Sequence, residues 1–316
     1  MYCLNFLEWE ELKLSYNFKQ EEIENIIKHF GKEFYEKVLR DIEVYTEKWS
    51  LTSFQFIPSY SANIVFTCHS ETFGNVVLKI GNPNAREVFT EFNTLIEYDG
   101  RRFCTVFDAD IENGVIVEEW IKPGIPLRNE NSLEKRLFVF SSLYNDLHIT
   151  PAKSEIYPTY MEWVDKITAY MSQQKDCTEL YVYMRHAQEI CHSLSSVYSQ
   201  KMLLHGDFHH DNILLGKDGK YKIIDPKGVV GDPIFDVPRF ILNEFGDDIT
   251  PELHEKINGI ITFFEKSLDI PNDIIRKCLF VETAMGICWC VEDGSTPDEY
   301  PSLVKTVAFA EAMLNH

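Results

Sequence analysis

Positive charge is scarce in this chain: 30 lysines and arginines stand against 50 aspartates and glutamates, a formal net charge of −20. That shortage excludes the clustered basic surface with which proteins neutralise nucleic-acid phosphates, and equally a basic face for an anionic membrane. Long hydrophobic runs are missing too. No apolar stretch reaches the ~18 residues that a membrane-crossing helix needs. The N-terminal MYCLNFLEWEELKLSYNF has no basic segment ahead of an apolar core, so it does not read as a secretory leader. The eight cysteines (Cys3, Cys68, Cys104, Cys177, Cys191, Cys278, Cys288 and Cys290) form no C-x-x-C pair and lie among apolar residues. That pattern suggests buried thiols in a reducing compartment. The expectation is a cytoplasmic protein with neither a nucleic-acid nor a membrane partner. An acidic chain attracts cationic small molecules, although excess charge also serves plain solubility. Monomer and dimer are not decided by the sequence.

What is present is enough apolar residue for a real core. At 316 residues and 45% hydrophobic, the chain can fill one large or two medium domains. Its centre of organisation is the stretch Leu203 to Asp236, LLHGDFHHDNILLGKDGKYKIIDPKGVVGDPIFD. Met202-Leu203-Leu204 runs into His205-Gly206-Asp207, and Asn212 opens Ile213-Leu214-Leu215. Asp218-Gly219 then turns the chain, since glycine tolerates the positive φ of a tight hairpin. Tyr221-Lys222-Ile223-Ile224 returns and ends on Asp225. A hairpin of this kind brings Asp207, Asn212 and Asp225 together. Two carboxylates and an amide oxygen make a hard site suited to Mg²⁺, with one carboxylate left as a base. Two plainer readings stand beside it: a hairpin with solvated carboxylates, and a transition-metal site on the adjacent His209 and His210. The second wants three or four ligands, and no further His/Cys pair sits at ligand spacing.

The run His205-Gly206-Asp207-Phe208-His209-His210-Asp211-Asn212, followed by Asp225-Pro226-Lys227-Gly228, resembles the catalytic centre of kinase-like phosphotransferases. Protein kinases carry H-R-D-x-x-x-x-N and then D-F-G. Here glycine replaces the arginine and Pro-Lys the phenylalanine, and both departures are similar to the aminoglycoside phosphotransferase family. The sequence IDPKGVVGDPIFDVPR is especially similar to its streptomycin 6-phosphotransferase and hydroxyurea phosphotransferase branch. The resemblance implies an α+β, two-lobed protein-kinase-like fold with a small antiparallel-sheet N-lobe and a mostly helical C-lobe. It implies ATP or GTP as donor, Mg²⁺ as cofactor, Asp207 as the catalytic base, and Asn212 and Asp225 as metal ligands. His205 and Asp236 become structural supports, Asp236 by accepting backbone N–H bonds from the catalytic loop.

Along the chain, residues 1 to about 50 are mainly helical, with Ile23, Ile26, Ile27, Phe30, Phe34, Val38 and Leu39 at helical spacing and a break at Gly31. From Phe54 the texture changes to strands: 54–57, 63–68 and 75–80. The link Pro58 to Asn63 sits where a phosphate-covering loop belongs in this resemblance. It contains no glycine, yet Ser61 is small enough to let a phosphate approach the backbone. Lys79 looks like the strand lysine that pairs the α- and β-phosphates; on a helix over 85–98 Glu87 and Glu91 sit four apart on one face, and the resemblance favours Glu91 as its partner. Two more strands, 103–107 and 114–121, are joined by a polar loop over 108–113. A stiff Pro/Gly turn follows at 122–126. In kinase-like folds this is the hinge, which makes Glu119, Trp120 and Ile121 candidates for adenine contact. The expected domains are 1–122, helices plus nucleotide-binding lobe, and 123–316, the catalytic and acceptor-binding helical lobe.

The second domain opens on a helix capped by Ser132, continues with helices over 161–171 and 179–198, and is helical again from 250. The apolar CLFVETAMGICWCV, Cys278 to Val291, is a buried helix. After it comes the acidic turn Glu292-Asp293-Gly294. With Asp211 and Glu282, these carboxylates are candidates for binding the guanidinium or ammonium groups of a cationic acceptor. The implied activity is transfer of a γ-phosphoryl group to a hydroxyl of an aminoglycoside, in this branch a streptomycin-like one, which is a resistance function. Alternatives are a metabolic kinase of the same superfamily acting on choline, a sugar or a similar alcohol, and a nucleotide-binding pseudoenzyme. A protein kinase is the last rival, since no A-P-E segment follows Asp225.

Overall fold

β-branched and aromatic residues dominate from Leu51 to Gly81, and that stretch folds into three antiparallel strands. The computed structural model describes residues 15–60, 62–246 and 248–315, so Cys3 and Ser61 lie outside the described residues. The chain divides into two compact units, one of residues 1–89 and 105–120, the other of 90–104 and 121–316.

In the first unit, helices α1 (Gln20–Phe30) and α2 (Lys32–Trp49) are separated by Gly31. Strands β1 (Leu51–Ile57), β2 (Asn63–Ser70) and β3 (Gly74–Gly81) follow, and helix α3 (Arg86–Tyr98) begins here. Strands β4 (Val106–Asp110) and β5 (Val115–Glu119) complete a five-stranded sheet of order β1-β2-β3-β5-β4. The buried stripe of the helices, Ile26, Val38, Ile42, Tyr45 and Trp49, packs with Phe56, Ile64, Phe66, Val76 and Leu78 of the sheet in one core. Its polar rims are tied down: Tyr45 donates its hydroxyl to Asp110 Oδ2 at 2.9 Å and Trp49 its Nε1–H to Asp108 Oδ2 at 2.7 Å. These bonds explain one departure from expectation. Residues 108–110 belong to β4 rather than to a loop, because their carboxylates satisfy buried donors from α2.

The second unit contains the remainder of α3 from Thr90 onward, whereas the expected domains placed everything before 123 with the small lobe. Its side chains and the segment after it bond within this unit: the Tyr98 hydroxyl donates to Leu203 O at 2.9 Å, and Cys104 N–H to Ile223 O at 2.9 Å. Strand β6 (Pro123–Pro126) stands where a plain turn was expected. Proline is tolerated there because β6 is an edge strand, which need not donate at every position. Helices α4 (Leu133–Tyr144), α5 (Tyr160–Met171) and α6 (Thr178–Val197) lead to strand β7 (Met202–Leu204). Ser132 caps α4, accepting from Lys135 N–H at 3.3 Å.

Strands β8 (Ile213–Gly216) and β9 (Tyr221–Ile223) form the hairpin about Asp218-Gly219 and extend β6 into a sheet of order β6-β8-β9. A further strand, β10 (Val229–Gly231), pairs with β7, so the two chain segments flanking the hairpin are held antiparallel. Helices α7 (Pro238–Leu242), α8 (Pro251–Leu268), α9 (Asn272–Glu292) and α10 (Tyr300–Ala312) close the unit. α9 is buried along most of its length, including the charged Arg276 and Glu282. Six cysteines (68, 104, 177, 191, 278 and 288) are buried, whereas Cys290 is exposed, a departure from the expected burial. Among the described residues no helix is long and apolar enough to cross a membrane.

Candidate active site

In the first unit the feature to explain is a buried lysine. Lys79 on β3 lies opposite Ile116 of β5, so Glu118, two residues further along β5, is its diagonal neighbour on the same face. Both side chains are buried, and Lys79 Nζ is 3.0 Å from Glu118 Oε1. A buried ammonium needs such a partner, because its desolvation is otherwise uncompensated. Glu118 was not singled out from the sequence, although the period of the strand puts it on the lysine's face. Glu119, one residue on, accepts from Thr105 N–H at 3.2 Å. Trp120 ends this unit, and Ile121, buried, begins the next segment of the second. Glu91 is buried on α3, among the residues of the second unit.

In the second unit the loop from β7 to β8 carries Asp207 and Asn212, and the residues after β9 carry Asp225. Two backbone links and one from a side chain lace the two segments. Ile224 N–H donates to Asn212 O at 3.0 Å, Lys227 N–H to His205 O at 2.7 Å, and the His205 imidazole to Ile224 O at 2.9 Å. His205 Nδ1 accepts from Asp207 N–H at 3.1 Å, so Nε2 carries the proton. Burial pushes this imidazole down, against the pull of Asp236 and Asp207, which keeps it in that neutral form. Asp236, buried, accepts from His205 N–H and Gly206 N–H, each at 2.8 Å, and from His148 Nε2 at 2.9 Å. Burial alone would lift the Asp236 carboxyl; His148, His205 and the Gly206 N–H outweigh it and hold it low. Asp225 sits in the left-handed region at φ 59°, a conformation that persists where surrounding bonds fix it.

Gly206 has φ 78°, and a Cβ there would come within 2.8 Å of Trp163 and 3.0 Å of Val229. Gly206→Ala is therefore expected to cost about 1–3 kcal/mol from strain and overpacking and to displace Asp207. Urea unfolding and turnover of the variant check both effects together.

The Asp207 carboxylate has charged company. His209 Nε2 lies 3.6 Å and Arg239 Nε 3.2 Å from its Oδ1. Burial pushes Asp207 up, but the nearby His209 ring N–H and the charges of Arg239 and Lys227 more than reverse this, so it is ionised at neutral pH. Asn212 donates its Nδ2 to Asp207 O at 2.9 Å, with His209 Nε2 3.3 Å away. That commits the amide nitrogen to the protein and leaves the amide oxygen for a cation. The neighbouring histidines diverge: His209 faces Asp207 and Asn212, while His210 bonds Glu244 Oε1 at 2.8 Å and stacks on Phe240.

The expected acceptor carboxylates do not form one cluster. Asp211 is held by Arg128 through Nε–Oδ1 at 2.7 Å and Nη2–Oδ2 at 2.7 Å. Glu282 is buried, with Arg239 Nε 2.9 Å from Oε1 and the Tyr160 hydroxyl donating to Oε2 at 2.6 Å. Glu292 and Asp293 are exposed at the far end of α9, about 15 Å from Glu282 along the axis at 1.5 Å per residue. Between them Trp289 lies under Arg239, 5.7 Å from the guanidinium carbon, and meets Trp163 edge to face. Arg239, Tyr160 and Trp163 had not been assigned a role from the sequence.

A family model described as aminoglycoside/hydroxyurea antibiotic resistance kinase matches residues 49–294. The chain belongs to that family. It is a phosphotransferase acting on a hydroxyl group. This kinase is 21% identical to the streptomycin 6-kinase of Streptomyces griseus over 257 residues, 79% of this chain and 82% of the other. Among solved structures it is similar to choline kinase LicA from Streptococcus pneumoniae, at 18% identity and a TM-score of 0.61, covering 87% of this chain and 99% of that one. It is also similar to a thermostable mutant of aminoglycoside phosphotransferase APH(4)-Ia in complex with ADP and hygromycin B. That likeness has 13% identity and a TM-score of 0.60, over 86% of this chain and 97% of that one. At these identities the structures establish the fold, which is protein-kinase-like: an antiparallel-sheet N-terminal region and a helical C-terminal region.

Proposed function

We propose that this kinase transfers the γ-phosphoryl group of ATP to a hydroxyl of a streptomycin-like aminoglycoside and thereby confers resistance. The observation that carries the reading is the loop from His205 to Asn212: a carboxylate kept ionised by neighbouring cations, five residues before an amide whose nitrogen is already bonded. Asp207 accepts the proton of the acceptor hydroxyl. The acceptor oxygen then bonds to the γ-phosphorus as the bond to the β,γ-bridging oxygen breaks, and ADP leaves. One amide oxygen and one carboxylate, from Asn212 and Asp225, would hold a small hard cation. Mg²⁺ held there would supply positive charge to the phosphate oxygens. Lys79, paired with Glu118, holds phosphate oxygens; Glu91 and Ser61 keep the nucleotide-side roles that the resemblance implies, and Glu119, Trp120 and Ile121 contact the adenine. His205 and Asp236 fix the loop. A nucleoside triphosphate donor makes the cytoplasm the place of action.

Cationic groups of the acceptor are met by Glu292 and Asp293, with Asp211 and Glu282 contributing their already paired charges to the field of the site. Charge reversal at both Glu292 and Asp293 raises acceptor KM at constant nucleotide KM; an unchanged acceptor KM removes them from the site. The reaction itself is tested by Mg²⁺- and ATP-dependent phosphate transfer across streptomycin, other aminoglycosides, hydroxyurea, choline and sugars, repeated with GTP. Phosphorylated streptomycin at micromolar KM is the expected product. Turnover confined to choline or a sugar would replace resistance by metabolism, and no turnover with intact nucleotide binding would make the protein a pseudoenzyme.

A further inference from the structure

We propose that Arg239 is a positioning residue for the phosphoryl transfer, a guanidinium clamp that fixes the base Asp207 by one carboxylate oxygen and leaves the other to the acceptor hydroxyl. The inference rests on Asp207 being the base. Its starting point is an asymmetry. Both close nitrogens, Arg239 Nε at 3.2 Å and His209 Nε2 at 3.6 Å, approach Oδ1, while Oδ2 accepts no hydrogen bond among the described residues. A carboxylate held at one oxygen cannot spin freely about its terminal torsion. Its other oxygen therefore has a defined direction, which is what a near-attack arrangement requires.

The clamp is itself held by Glu282 and Trp289. Glu282 Oε1 lies 2.9 Å from the same Arg239 Nε. Neither carboxylate meets Arg239 Nε at a hydrogen-bonding angle, so the attraction is between charges and the guanidinium sits between two anions rather than serving one. Glu282 is fixed in turn, because Tyr160, buried and stacked on Phe235 at 4.3 Å, donates its hydroxyl to Oε2 at 2.6 Å. Trp289 lies beneath the guanidinium, and the helix α9 that carries it also carries Glu282. Trp163, edge to face with Trp289, closes against Gly206, the residue before the base. The chain of contacts thus starts and ends on the catalytic loop. A lysine in place of Arg239 would keep the charge and lose the planar group that matches two carboxylates and an indole at once.

Glu282 in this arrangement is the anchor of the clamp, a role other than direct capture of an acceptor cation. A buried carboxylate paired in charge with a guanidinium at Oε1 and bonded by Tyr160 at Oε2 serves better to hold an arginine than to meet a ligand. With Arg239 present, the charges of Glu282 and Asp207 are both balanced; with it removed, the buried Glu282 and the half-buried Asp207 lose the cation between them.

The test compares Arg239→Gln, Arg239→Lys, Tyr160→Phe and Asp207→Asn with the parent kinase, using the acceptor that the panel identifies. Arg239→Gln is expected to lower kcat about 100-fold, the scale set by a misplacement of ~1 Å, with nucleotide and acceptor KM changed less than threefold. Arg239→Lys should recover part of that loss. Tyr160→Phe, which keeps the ring packing and removes only the tether, should lower kcat severalfold in the same pattern, and it stands as the test if Arg239→Gln does not fold. A rise in acceptor KM at constant kcat would make Arg239 a substrate contact, and unchanged kinetics in both Arg239→Gln and Tyr160→Phe would remove the clamp. Asp207→Asn separates the two levels. If it retains turnover, the base assignment falls; if it is dead while Arg239→Gln is fully active, only the clamp falls.

Discussion

Asp207→Asn should reduce turnover by at least 10³-fold while nucleotide affinity stays within a few-fold of the parent. The size follows from what a positioned general base contributes, roughly 10²–10⁴ in rate, together with loss of the charge that balances Arg239. The substitution keeps the shape of the side chain and the backbone links around it, since His205 Nδ1 and Asn212 Nδ2 bond the Asp207 main chain, not its carboxylate. A fold defect is therefore not expected, and the urea midpoint should remain near that of the parent. Single-turnover phosphate transfer and nucleotide titration on the same preparation make the comparison. Turnover within tenfold of the parent would show that the acceptor hydroxyl does not need this carboxylate and would send the search for the base to another residue.

The features of the site that could be read from the sequence are those set by local geometry. Asp207, Asn212 and Asp225 lie on one loop and one hairpin, so their spacing alone describes how the segments return on each other, and β7, β8 and β9 occupy the anticipated stretches. Features set by distant packing were not legible. Glu118 becomes the neighbour of Lys79 only through the register of β3 with β5. Tyr160 and Glu282 are 122 residues apart and Arg128 and Asp211 are 83 apart, and no periodicity connects them. Asp211 illustrates this: its spacing on the loop was readable, and its pairing with Arg128 was not. Pro123 to Pro126 erred for the opposite reason, since proline is a strong local signal for a turn and only the edge position of β6 permits a strand there.

Glu244 carries the largest expected effect on stability. It lies just after α7, buried, with Arg136 Nε 2.7 Å from Oε1 and Nη2 2.8 Å from Oε2. His210 Nε2 reaches Oε1 at 2.8 Å, and Lys256 Nζ is 2.7 Å from Oε2. Burial would lift this carboxyl, but the bonds from His210, Arg136 and Lys256 outweigh it and hold it far below the usual range. Glu244→Gln leaves Arg136 and Lys256 without their anion, and breaking a buried pair in this way costs about 3–5 kcal/mol. The pH dependence follows from the direction of the shift. The folded value lies below the ordinary 4.5, so the contribution is complete above that pH and is lost as pH falls from there through the folded value. His210, pushed below its ordinary 6.5 by burial, adds acid sensitivity that begins higher, because the unfolded chain takes up its proton first. Urea unfolding of parent and Glu244→Gln at pH 7 should differ by the full amount, and the gap should narrow below pH 4.5. Equal midpoints at pH 7, or a gap that persists unchanged into acid, would mean that the network is neutral to folding and that the loop holding His210 and Asp207 is secured by its backbone bonds alone.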